Sequence, residues 1–197
     1  MADTGAPWNI PYVESTDLVR DYPTDSLALA DAIADGLDAA GGLVAVKTVV
    51  KTDTQSSSIA AGGHVAISGL TISHAVADAS NKVLLTAQVN GGRGVANVLC
   101  ACLTAGGVQL NLGDSAGSRR RVAAVNMGDS ADDSKMSSVF LQALHTPGST
   151  SSVTYGADIM SDSTATQTYL INRATDDADT GDRARTSSVL TLLEVKV

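Results

Sequence analysis

From Val44 to the C-terminus the chain is a succession of short apolar or alternating runs, each closed by turn chemistry, and this limits it to an all-β fold. The first, VAVKTVV at Val44 to Val50, sets Val44, Val46, Thr48 and Val50 against Lys47 and Lys51, the period of a half-buried strand. Further runs span His64 to Ser73, Lys82 to Val89, Val95 to Leu103, Val108 to Leu112, Arg120 to Asn126, Met136 to Leu144, Ser152 to Met160, Gln167 to Asn172 and Ser187 to Val197. Between them lie Gly62-Gly63, Asn81, Gly91-Gly92, Gly106-Gly107, Gly113-Asp114, Pro147-Gly148 and Gly181-Asp182. About ten strands at this spacing predict a sandwich or barrel. A jelly-roll-like β-sandwich is favoured, because the closing run TSSVLTLLEVKV can pair back beside the first strand. The Ser/Thr-rich stretch Thr52 to Ser58 reads as a polar connector or a short strand bend, and no fixed-period repeat suggests a β-helix or propeller.

Residues 1–43 have a different texture and are expected to form an N-terminal arm and short helix, ahead of a β-domain over 44–197. Pro7 and Pro11 hold the arm extended, and Trp8, Ile10 and Tyr12, two apart, then point the same way. So short an arm needs a surface for three large side chains, either its own domain or another protein. Next comes a helix with Pro23 in its first turn, Thr24, Asp25 or Ser26 as cap, and Gly41-Gly42 at its end. Leu27, Ala30, Ala34, Leu37 and Gly41 form a seam at intervals of three and four, with Ile33 beside it and Asp31, Asp35 and Asp38 on the remaining surface. A lone helix of this length is marginal in water, so its seam packs on its own domain or on the same helix of neighbouring subunits.

The run PWNIPYVESTDLVRDYP followed by a short Ala/Leu helix resembles the N-terminal attachment segment of tail-fibre-like proteins of tailed bacteriophages. The matching residues are Trp8, Pro11, Tyr12, Thr16, Asp17, Leu18 and Val19. AISGLTISHAVADASNKVLL, GDSAGSRRRV and TPGSTSSVTYG look like the repeat-free β-domain that often follows, so the resemblance covers nearly the whole chain. It implies a homotrimeric virion structural protein, made in the host cytoplasm. Trp8, Ile10, Pro11, Tyr12, Asp17 and Leu18 would dock into tail or capsid proteins, and Leu27, Ala30, Ala34 and Leu37 would meet at the subunit contact. The outward β-domain would face the host surface and its glycans. A capsid decoration, or cement, protein stabilising the head is the alternative.

Composition excludes other classes. With 17% charged residues and a net charge of -8, the chain lacks the basic footprint of a nucleic-acid binder. No run reaches the roughly 18 apolar residues of a membrane span, and MADTGAPW has neither the basic nor the apolar region of a signal peptide. Cys100 and Cys102, one residue apart on a strand, share a face, which disfavours a disulfide and predicts buried reduced thiols.

Gly113-Asp114-Ser115-Ala116-Gly117 satisfies G-x-S-x-G, and His64, His74 and Asp78 can be nominated as its partners. A hydrolase elbow lies between strand and helix, whereas Gly117 is followed by Ser118, Arg119, Arg120 and Arg121 and another strand-like run, so the motif reads as a β-turn and no catalysis is expected. The arginine cluster can bind a phosphate-bearing glycan or, the preferred reading, pair with Asp114 and the acidic loop GDSADDS at Gly128 to Ser134. Asp176 to Asp182 is dense in carboxylates but departs from EF-hand spacing at Gly181 and Asp182, which favours a solvated loop over a calcium site. Nothing marks His64, His74 or His145 as a metal ligand shared around a three-fold axis, and no cofactor is expected. Tyr155 and Tyr169 are the β-domain rings a sugar could stack on.

Overall fold

Thirteen strands follow one another in the computed structural model, which describes residues 2–3, 11–12, 27–33, 42–93, 98–127, 135–181 and 183–197. They are β1 (Ala2–Asp3), β2 (Pro11–Tyr12), β3 (Leu43–Lys51), β4 (Gln55–Ile59), β5 (His64–His74), β6 (Lys82–Arg93), β7 (Val98–Ala105), β8 (Val108–Leu110), β9 (Ala124–Met127), β10 (Ser137–His145), β11 (Val153–Met160), β12 (Gln167–Ile171) and β13 (Ser188–Val195). The chain divides into two units, Met1–Gly42 with Val197 and Leu43–Lys196. In the first, β1 and β2 pair antiparallel, and a helix, α1, covers residues 27–33.

The second unit is a sandwich of two antiparallel sheets. In one, β3, β13, β6 and β10 lie side by side, and β12 follows β13 along the same edge of β6 and carries β4. In the other, β5, β11 and β7 lie side by side, with β8 and β9 sharing the far edge of β7. The chain crosses repeatedly between sheets, and its last strand closes beside β3, the first strand of this unit, Val189 opposite Val50 and Leu193 opposite Val46. This is the jelly-roll order expected from the closing run.

Strict alternation builds the core. Val83, Leu85, Ala87 and Val89 of β6, Val139, Leu141 and Ala143 of β10 and Leu190 and Leu192 of β13 face Ile67, Leu99, Leu103 and Ile159 of the opposing sheet, all of them buried. Burying each large aliphatic side chain contributes about 1.5–3 kcal/mol.

β7 breaks the alternation, since all eight of its residues are buried. Leu99, Ala101 and Leu103 face the main core, while Val98, Cys100 and Cys102 form a second cluster with Met160, covered by Leu112, Val122 and Ala123 of the β8–β9 connection. Both thiols are free, and burial is the main cause that pushes Cys100 up to about 11 and Cys102 up to about 12.

Three expectations are corrected. The polar stretch at 52–58 contains a true strand, β4, paired with β12 through residues such as Ser57 and Tyr169. The valine face of β3 points outward and its lysine face inward, so Lys51 is buried and donates to Asp53 Oδ2 at 2.8 Å. Tyr155 and Tyr169 are both fully buried, which withdraws them as stacking surfaces.

Candidate functional site

The nominated serine triad is not assembled. Ser115 is exposed on a connection, Asp78 accepts from Ser80 N and Oγ at 2.8 Å, and each histidine has another partner. At the start of β5, His64 Nδ1 donates to Asp158 Oδ2 at 2.6 Å. At its other end, His74 Nε2 donates to the buried Glu194 Oε2 at 2.7 Å. His145, at the end of β10, is 3.1 Å from Tyr155 Oη through Nδ1 and packs edge-on against that ring, and burial holds its pKa below the usual value.

Glu194 is a buried charged side chain that was not singled out from sequence. Besides His74, it accepts from Ala77 N at 2.7 Å and from Asn81 Nδ2 at 2.6 Å, so one carboxylate on β13 holds both the end of β5 and the β5–β6 connection. Strand parity was the available signal, because Glu194 shares its parity with the buried Leu190 and Leu192.

The acidic loop is solvated at its tip, 178–181 being exposed, and tied at its base by arginines. Asp176 pairs with Arg183 at 2.9 Å, and Asp177 pairs with Arg173 at 3.1 Å and Arg185 at 2.6 Å. For Asp114, the preferred pairing of the arginine cluster is corrected. Arg120 Nη2 donates to Ser163 O at 3.0 Å and Arg121 Nε to Gly113 O at 2.6 Å, both neutral carbonyls, and no ion pair with Asp114 forms. The acidic loop at 128–134 lies outside the described residues. No cluster of metal-ligating side chains occurs among the described residues.

Of the expected docking residues, Pro11 and Tyr12 lie in β2, while Trp8, Ile10, Asp17 and Leu18 lie outside the described residues. Of the expected subunit contacts, Leu27 and Ala30 lie on α1 and are exposed, Leu27 at 62%, whereas Ala34 and Leu37 lie outside the described residues.

Exposed apolar side chains gather on the outer face of the β3-β13-β6-β10 sheet. Register places Val46, Leu193, Leu84 and Leu144 in one cross-strand row. A second row runs Val50, Val189, Gln88 and Phe140, and between the two lie Thr48 and Thr191, whose hydroxyls are 3.1 Å apart. Val46 and Val50 are each 54% exposed, Phe140 66% and Leu144 57%. Apolar rows without charge on a sheet's solvent face are the kind of surface that protein–protein contacts use.

No family model matches the chain, and no curated protein matches it in sequence. Similar solved structures include a chain of the infectious bursal disease virus (IBDV) particle, at 12% identity and a TM-score of 0.40, covering 77% of this chain and 35% of that one. They also include the C-terminal domain of the sugar-binding protein EclA (12%, TM-score 0.35, 71% of this chain and 78% of that one). A third is the Eiger TNF of S. frugiperda (11%, TM-score 0.33, 77% and 92%). At these identities and TM-scores the likenesses carry no argument about function. No helix among the described residues is long and apolar enough to cross a membrane.

Proposed function

We propose that the chain is a structural component of a phage virion: a trimeric tail-fibre-like protein, docked through its N-terminal arm, with its β-domain outward and its role mechanical rather than catalytic. The observation that carries the assembly part is the outer face of the β3-β13-β6-β10 sheet, where Val46, Val50, Phe140 and Leu144 stand exposed on one protomer. A second copy of the chain is the occupant that suits this face, since it offers equally uncharged rows in return. The exposed Leu27 and Ile33 of α1 support the same reading. Docking in the particle rests on the resemblance of residues 7–23 to phage attachment segments, and host-surface recognition is assigned to the β-domain loops.

Light scattering on the purified chain tests the assembly. The expected mass is three times that of the 20.0 kDa chain. Leu144→Asp combined with Val46→Asp removes the burial of two aliphatic side chains, about 1.5–3 kcal/mol each, and is expected to shift the population to monomer with an unchanged far-ultraviolet dichroism spectrum. A single-chain mass for the wild type at micromolar concentration contradicts the trimer.

A further inference from the structure

Of the described arginines, Arg93, Arg173, Arg183 and Arg185 each pair with an aspartate. Arg119, Arg120 and Arg121 pair with no carboxylate among the described residues, and they line a cavity of about 350 Å³ together with His64, Gln109 and Ser118. Guanidiniums that line one cavity, without a described carboxylate to neutralise them, favour an anion there.

The surroundings hold this arrangement in place. Leu112, Val122 and Ala123 anchor the β8–β9 connection on Cys100, Cys102 and Met160, and Gly113 N donates to Val122 O at 3.2 Å across its base. Arg120 and Arg121 are oriented by carbonyls of Ser163 and Gly113, which fix the side chains without neutralising them. On the β5 side, Asp158 Oδ2 accepts a hydrogen bond from His64 Nδ1, and Nε2 is the ring's other nitrogen. A second observation is independent of the arginines: Gln109, one of the lining residues, has in Nε2 a buried donor without an acceptor among the described residues.

We propose that this cavity binds a tetrahedral oxyanion, a phosphate or sulfate ester, with the guanidinium forks of Arg119 to Arg121 as its main donors and Gln109 in its lining. Guanidinium geometry matches such oxygens in pairs, and the site does not depend on the assembly to which the chain belongs. It supplies the β-domain with an anion-selective contact at a cavity that no Phe, Tyr or Trp lines.

Calorimetric titration of the full chain at low salt with glucose 6-phosphate, glucose 6-sulfate, inorganic phosphate and glucose tests it. Saturable binding of the two esters and none of glucose is expected. Inorganic phosphate binding as tightly as the esters would assign the site to the free ion, still as an oxyanion site. Arg119→Gln removes a charge without removing a side-chain hydrogen bond, and it is expected to weaken ester binding about 10-fold, the loss of one charge-assisted contact. Arg120→Gln is expected to act in the same direction, and Arg173→Gln, in the Asp177 pair, to leave binding unchanged. No saturable heat with any oxyanion, or wild-type affinity in both Arg119→Gln and Arg120→Gln, overturns the proposal.

Discussion

Glu194→Ala is expected to lower the unfolding free energy by about 3–5 kcal/mol, the range for removing one partner of a buried charged network. The side chain is 1% exposed, and its loss leaves His74 Nε2, Ala77 N and Asn81 Nδ2 without their acceptor inside the sandwich. Glu194→Gln keeps an oxygen for Ala77 and Asn81 but can turn an amide N–H towards His74, so a smaller loss is expected. Urea denaturation of the three proteins measures this, and an alanine variant within about 1 kcal/mol of wild type would show that water replaces the carboxylate.

The same group sets an acid limit. Burial pushes the Glu194 carboxyl up, but hydrogen bonds from Asn81, Ala77 and His74 outweigh it and hold it below its ordinary value of 4.5. A carboxylate with a depressed folded pKa contributes stability that is complete above the ordinary value and is lost as pH falls through the lower, folded one. Wild type is therefore expected to lose stability below about pH 4.5 more steeply than Glu194→Ala, the two curves converging in acid.

Gly91→Ala is expected to destabilise by about 3 kcal/mol or more, the upper range for overpacking where the neighbours cannot yield. Gly91 lies in β6 between Ser137 of β10 and Ile171 of β12. A Cβ there would overlap the Leu170 carbonyl oxygen and stand 3.1 Å from Ile171 Cα, so the obstacle is the backbone of a paired strand rather than a movable side chain. For a chain of this size the midpoint should fall by about 6–12 °C, with the spectrum of the folded state retained at low temperature. A midpoint within about 1 °C of wild type would mean that β12 can move away from β6 at little cost.

Much of the sandwich was legible because its strands are short, alternating and separated by turn residues. The closing of β13 on β3 followed from one apolar run at the end of the chain. Where the reading erred, period and polarity disagreed. Gln55, Ser56, Ser57 and Ser58 carry no apolar period, yet they form a strand because β12 supplies its hydrogen-bonding edge. In β3 the period was right but the face was reversed: a lysine at the end of an edge strand can bury its stem and reach Asp53, which leaves the valines outside.

The sites were less legible, since their partners are distant in the chain. Asp158 is 94 positions from His64, and Glu194 is 120 from His74. Local spacing cannot reveal such pairs, although the parity of Glu194 pointed inward. Arg119 to Arg121 were visible as a cluster, but their lack of carboxylate partners is a property of the folded connection.

Immunogold electron microscopy of phage particles, using antibodies raised against residues 44–197, tests the central claim most directly. Gold confined to the tail is the predicted result. Gold over the head would contradict the tail-fibre assignment and leave capsid decoration in its place, and particles without gold would contradict a virion role altogether.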